Sequence, residues 1–230
     1  MAQHTQGKDA MTKATFYEEA KNYWEEIPPT VNGMLGGYGN ISSTDVRGSI
    51  DFLKPMLMCE WNERVGSEKA LDCGAGIGRV SKHLLLPLFQ SVDLVEQEQK
   101  FLDEAPAFLG EASANVGKYI CCGLQDFVPQ PKHYDVIWCQ WVLGHLTDEH
   151  LISFFKRCKE GLKEGAVICV KENISREGVV FDEQDSSVTR SSKELTKIFR
   201  KAGLKIMKEE TQRNFPLEIY MVKMFALKYR

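Results

Sequence analysis

Three things are scarce in this sequence of 230 residues, and each scarcity excludes a class of protein. No apolar run approaches the roughly 20 residues that span a bilayer, and the polar stretch Met1 to Thr15 lacks the apolar core of a secretory signal. Basic charge is not in excess: 29 Lys and Arg stand against 32 Asp and Glu, for a formal charge of −3. The electrostatic footprint of nonspecific nucleic-acid binding is therefore missing. The seven cysteines include no C-x-x-C pair and the five histidines are scattered, so neither a metal site nor a disulfide framework is expected. The expectation is an intracellular protein that engages no membrane and no nucleic acid directly, with one buried core of ordinary size.

Glycine, by contrast, is concentrated at one point. A short apolar strand ends in Leu71-Asp72-Cys73 and runs into Gly74, Gly76 and Gly78, and the helical run from Arg79 to Leu86 follows. Glycines there let the backbone turn sharply and admit a ligand where a Cβ would collide. Glu96 lies at the end of the next apolar run, Ser91 to Glu96. A carboxylate at the tip of the second strand of a βαβ unit accepts from the ribose hydroxyls of a nucleoside. The dinucleotide fingerprint G-x-G-x-x-G serves a pyrophosphate, but here the third glycine comes one residue early and the acidic Asp72 precedes the loop. Asp72 would repel a pyrophosphate and is expected instead toward the ammonium of a methionine moiety. The pattern D-x-G-x-G-x-G resembles the first motif of S-adenosylmethionine-dependent methyltransferases. A ligand-free glycine turn and a nicotinamide enzyme are the alternatives.

Strand and helix signals alternate after residue 66. Strands are expected over about Lys69 to Cys73, Val92 to Glu96, Tyr119 to Cys122, Tyr134 to Gln140, Gly165 to Lys171, Leu204 to Glu209 and Ile219 to Leu227. Helices are expected over about Gly78 to Leu86, Glu98 to Leu109, Asp148 to Leu162 with Thr147 as N-cap, and Ser191 to Ala202 closed by Gly203. Such alternation implies an α/β fold with a mostly parallel, doubly wound sheet, and the last pair implies an antiparallel edge.

Ligands of open α/β sheets sit beyond the carboxyl ends of the strands, where the other polar signals fall. Leu124 and Gln125 follow the third strand, placed for an adenine base. Gln140, Trp141 and His145 follow the fourth, beside the methyl donor. Arg79 can pair with a cofactor carboxylate. Two segments exceed a minimal plan: an N-terminal stretch containing Phe16, Tyr17, Tyr23 and Trp24 and then Met34 to Gly39, and an insert from Lys171 to Ser187. Lids of this kind align an acceptor with the cofactor.

These stretches together are similar to one family. Trp24 with Ile27 to Thr30, Gly33 to Gly39, Leu71 to Arg79, Gln140 to Asp148, Arg176 to Asp182 and Asp185 to Val188 resemble the eukaryotic protein α-N-terminal methyltransferases. Those enzymes methylate the free amino terminus of proteins beginning X-Pro-Lys or X-Pro-Arg. The resemblance covers about residues 16 to 228. It implies a Rossmann-like class I methyltransferase with a seven-stranded sheet, an N-terminal helical lid and an insert after the fifth strand. A flexible N-terminus (1–14) would precede a single methyltransferase domain (15–230), made of a helical extension (15–65) and a catalytic core (66–230). The resemblance also implies a nuclear and cytoplasmic location. It implies S-adenosyl-L-methionine as cofactor, held by Gly74, Arg79, Glu96, Leu124, Gln125 and Gln140, and no metal. Its peptide site falls on Trp24, Leu35, Gly36, Trp141, His145, Asn173, Asp182, Asp185, Ser187 and Tyr220. Glu96 departs from the family, which commonly has Asp there. The segment Arg47 to Val65 matches weakly and yields no expectation.

The acceptor chemistry narrows the roles. A protein α-amino group has a pKa of roughly 7.7–8.0, so a base that takes its proton and holds the lone pair in line is needed. Asp185 and His145 are the candidates, acting together, with Asn173 bonding the first peptide carbonyl. A proline lacks an N–H and is fixed in φ, which suits an apolar slot of Trp24, Leu35 and Trp141. Asp182, with Asp185, suits a third-position cation. A small-molecule N- or O-methyltransferase and a non-catalytic cofactor-binding accessory protein are the other readings.

Overall fold

The computed structural model describes residues 7–58 and 65–229. Nine strands and five longer helices are built from them. Seven strands form one sheet in the order β3-β2-β1-β4-β5-β9-β8: β1 (Lys69–Cys73), β2 (Ser91–Glu96), β3 (Val116–Cys121), β4 (Tyr134–Gln140), β5 (Leu162–Ile174), β8 (Leu204–Thr211) and β9 (Met221–Tyr229). The first five run parallel, while β9 is antiparallel to both β5 and β8. This is the expected sheet with its antiparallel edge.

Helices cover both faces, which is why the central strands read as unbroken apolar runs. On one face Leu71, Ile137, Ile168 and Phe225 pack against Phe154 and Phe155 of α4 (Asp148–Gly161) and Leu195, Ile198 and Phe199 of α5 (Ser192–Lys201). On the other, Ala70, Val136, Trp138 and Val167 meet Phe52, Leu53 and Met56 of α2 (Ser42–Leu57) and Leu102 and Ala105 of α3 (Gln99–Leu109). The caps legible in the sequence are made: Thr147 accepts from the His150 N–H, Ser191 accepts from the Glu194 N–H, and Gly203 takes φ +82°. Helix α1 (Phe16–Glu26) stops at the Pro28-Pro29 pair.

Four expectations need correction. The helix after the glycines is wound as a π-helix over Ser81–Leu85. Strand β5 does not stop at Lys171 but continues to Ile174, because β9 offers it antiparallel partners through Met221. The insert that follows is a hairpin of β6 (Val179–Asp182) and β7 (Ser187–Arg190). Residues 7–14, expected to be flexible, are packed: Ala10 is buried, and Met11 lies against Phe16, Val179 and Val188.

Candidate active site

The strand order reverses between β1 and β4, and a cavity opens beyond their carboxyl ends, as the rule for open sheets requires. All six residues expected around a cofactor line it: Gly74, Arg79, Glu96, Leu124, Gln125 and Gln140. The glycine cradle has a steric cause. Gly74 and Gly76 have φ of +71° and +55°, in the left-handed region. A Cβ on Gly76 would come within 2.5 Å of Met34 Sδ, and one on Gly74 within 2.5 Å of Val142 Cγ2.

Glu96 is fixed by backbone amides. Its Oε2 accepts from Gly76 N–H at 2.9 Å, and its Oε1 accepts from Gln97 and Glu98 N–H at 2.8 and 3.1 Å. Burial raises its pKa, and those three amides oppose the rise. An ionised carboxylate has about four acceptor positions, so Oε2 keeps capacity for a hydroxyl. The adenine-side loop is held from behind by Arg157, which donates to the carbonyls of Leu124, Gln125 and Phe127 at 2.8, 2.9 and 2.7 Å. Asp72 does not face this cavity. It is buried, and its Oδ2 accepts from both Ser81 N–H and Ser81 Oγ; burial raises its pKa to about 6. It pins the start of the π-wound turn instead of meeting an ammonium.

A second cavity adjoins the first. All ten residues expected around an acceptor peptide line it: Trp24, Leu35, Gly36, Trp141, His145, Asn173, Asp182, Asp185, Ser187 and Tyr220. Four residues, Trp24, Met34, Trp141 and His145, line both cavities and form the wall where the two meet. Asp182 ends β6 and Asp185 lies in the β6–β7 turn, and each receives a backbone N–H two residues on, from Gln184 and Ser187. Ser186, at φ +50°, is tied to α1 by its Oγ, which donates to the Phe16 carbonyl at 3.1 Å.

The shared wall is held with care. Trp24 Nε1–H donates to His145 Nε2 at 3.1 Å. An indole N–H can only donate, so Nε2 presents its lone pair and the neutral ring carries its proton on Nδ1. Burial lowers the His145 pKa, against the pull of Asp185 and the Ser186 backbone. Trp141 has φ +53°, which is strained for a bulky side chain; its ring stacks on Phe215 and carries the Arg79 guanidinium at 5.8 Å. Glu172 Oε1 accepts from Val142 and Leu143 N–H at 2.9 and 2.8 Å, and burial pushes its pKa up to about 7. Arg190 donates to the carbonyls of Leu143 and Leu146 at 2.9 and 2.6 Å.

Several residues here received no individual role from sequence, although four of them stand in the two added segments. Tyr23, Tyr38 and Glu172 also line the second cavity, and Met34 lines both. The pKa of Tyr23 is raised by burial first and then by Asp185 and Asp182, which places its ring by the acids. The largest omission is Asp45, fully buried in the segment before the weakly matching stretch. Its signal was positional: Asp45 and Ser49 share the stripe of α2 that carries Phe52, Leu53 and Met56. A charge on an apolar stripe is informative in a way a surface charge is not.

Fold and cavity together define a class I S-adenosylmethionine-dependent methyltransferase. The profile of the family described as AdoMet-dependent proline di-methyltransferase matches residues 12–228, and the chain belongs to that family. It is 56% identical over 216 residues to the zebrafish (Danio rerio) N-terminal Xaa-Pro-Lys N-methyltransferase 1, covering 94% of this chain and 96% of the relative. The human enzyme of that name is 53% identical over 213 residues, covering 93% and 95%. Among solved structures, a SAM-dependent methyltransferase of Leishmania major superposes with a TM-score of 0.88 at 35% identity, covering 97% of this chain and 89% of the other. The residues present fit the cofactor: a cradle a Cβ would fill at Gly76, an acceptor at Glu96 and guanidinium donors at Arg79. Among the described residues no group of three or more His, Cys, Asp or Glu is placed to hold a metal, and no helix is long and apolar enough to cross a membrane.

Proposed function

We propose that this enzyme methylates the free α-amino group of proteins that begin Xaa-Pro-Lys or Xaa-Pro-Arg. The observation that carries the reading is the meeting of the two cavities at Trp24, Met34, Trp141 and His145, with the acidic pair Asp182 and Asp185 on the acceptor side. S-adenosylmethionine, when bound, supplies a methyl group made electrophilic by its sulfonium. Everything else asked of the chain is to bind the acceptor, deprotonate it and aim it through the shared wall. Gly74, Glu96, Leu124, Gln125, Gln140 and Arg79 hold the cofactor.

Leu35, Gly36, Trp24 and Trp141 shape the slot for the second-position proline, and Asn173 bonds the first peptide carbonyl. Asp182, with Ser187 and Tyr220 on the same rim, receives the third-position cation. Aromatic faces at the wall also tolerate the product, a fixed methylammonium. The proton goes to Asp185. His145 does not take it at Nε2 while Trp24 donates there; its Nδ1–H, the donor left to it, orients the Asp185 carboxylate and leaves the amine lone pair free.

The test is methyl transfer to a Ser-Pro-Lys peptide and to its N-acetylated twin, read by intact mass. Only the free amine should gain mass, and the number of added methyls is read directly. Labelling of both peptides would move the chemistry to the lysine side chain, and labelling of neither, with cofactor bound, would point to a small-molecule acceptor. Asp182→Lys should weaken Xaa-Pro-Lys peptide binding while cofactor affinity stays unchanged; equal peptide affinity by calorimetry removes Asp182 from the recognition of the third residue.

A further inference from the structure

Behind the cofactor cavity lies a buried charge cluster with two cations and one anion at its centre. Asp45 is fully buried, and so is Lys171. Arg79 Nη1 donates to Asp45 Oδ2 at 2.8 Å, Lys171 Nζ lies 2.6 Å from Asp45 Oδ1, and Gln140 Nε2 donates to both oxygens at 2.9 Å. Gln140 is held from its other end too, where its Oε1 accepts from Trp138 Nε1–H at 3.1 Å. Asp45 lines neither cavity, yet two of its three side-chain partners, Arg79 and Gln140, line the cofactor cavity.

We infer that Asp45 is a positioning residue for the cofactor's carboxylate end. A guanidinium has five N–H donors in a fixed plane. Among the described residues only Nη1 of Arg79 is engaged, by Asp45 and, at 3.4 Å, by Ser42 Oγ. The grip on Nη1 sets the plane and leaves the remaining donors for an anion in the cavity. An Asp–Arg pair alone would satisfy Arg79 and compete with that anion. Lys171 prevents this by sharing the Asp45 charge, so that Arg79 stays only partly neutralised. Asp72, the other carboxylate acting on Arg79, is committed to Ser81. Asp45 also fixes the rotamer of the Gln140 amide. The inference rests on Arg79 as the partner of the cofactor carboxylate.

The experiment compares S-adenosylhomocysteine with its decarboxylated analogue, S-adenosyl-3-thiopropylamine, by isothermal titration. The analogue keeps the nucleoside, thioether and ammonium and lacks only the carboxylate. Asp45→Asn should weaken S-adenosylhomocysteine about tenfold and leave the analogue nearly unchanged, so the preference for the carboxylate collapses. Removing the anion leaves two buried cations facing each other, so Asp45→Asn combined with Lys171→Met is the partner variant that restores charge balance. It should fold and still lack the preference. Equal weakening of both ligands in these variants makes Asp45 a purely structural residue and overturns the inference, as does unchanged or tighter S-adenosylhomocysteine binding. Arg79→Leu separates the premise from the inference. If it keeps the preference, the reading of Arg79 fails and the inference with it; if it loses the preference while the Asp45 variants keep it, the inference alone falls.

Discussion

Trp24 and His145 stand 121 residues apart in the chain, and their one hydrogen bond sets the tautomer of the neutral imidazole at the acceptor site. The indole N–H stabilises the neutral imidazole by occupying the Nε2 lone pair. Trp24→Phe keeps a ring at the same place and removes that donor. The His145 pKa, followed by NMR titration, should therefore rise. Stability should fall by about 1 kcal/mol, the worth of one hydrogen bond. A His145 titration unmoved by the change would remove the tautomer argument. At this scale the sequence was informative wherever a residue type is tied to its chemistry: Glu96, Arg79 and Asp185 each stand on a cavity wall. It was silent on pairing. Nothing in a linear string indicates that Trp24 donates to His145, or that Asp72 would turn to Ser81, because both depend on how α1 and the π-wound turn are set against the sheet.

Elements explain why these side chains hold still. Strand β5 carries Lys171, Glu172 and Asn173 in succession; Lys171 enters the buried charge cluster, while Glu172 and Asn173 line the acceptor cavity at the end of the strand. Glu172 then anchors the turn after β4 through two amides. Its folded pKa, about 7, lies above its ordinary 4.5. Between those values the folded protein holds a proton that the unfolded chain releases. Stability contributed by this group is therefore lost as pH rises from about 4.5 to 7, by up to about 3 kcal/mol, and levels off above. Glu172→Gln should abolish that slope, seen as a smaller difference than the parent's between urea unfolding free energies at roughly pH 5 and pH 8. A difference as large as the parent's would place the titrating group elsewhere. Strands and capped helices were legible from apolar runs and from Thr147, Ser191 and Gly203. The β6–β7 hairpin was not, because its turn holds Glu183, Gln184 and Asp185 with Ser186 at positive φ, where a sequence reader looks for glycine.

The whole molecule is held together across its two additions. Residues 7–14 lie on the hairpin, with a Cβ at Gly7 predicted to strike the Val179 carbonyl and Met11 packed beside Phe16. Arg190, on β7, reaches back to Met11 and forward to Asp148. Removing residues 1–12 should therefore loosen the acceptor side alone. The peptide KM should rise and Tm should fall, about 2–4 °C for each kcal/mol lost. Cofactor affinity should be unchanged, since none of residues 7–14 lines that cavity. A matching loss of cofactor affinity would show that the segment supports the core as a whole. Composition and periodicity gave the core's architecture, but the N-terminal polarity that suggested a free segment concealed a few buried contacts.

Strand β9 lies between β5 and β8, and this has a consequence for how the protein is made. A ribosome reaches Met221 only after the other eight strands have been synthesised. Until then β5 and β8 each present an open edge, and β8 has no neighbour at all. Open edges of this kind recruit other chains. The nascent protein therefore carries one adhesive seam once β5 is made and a second once β8 is made, and a single late segment closes both at once.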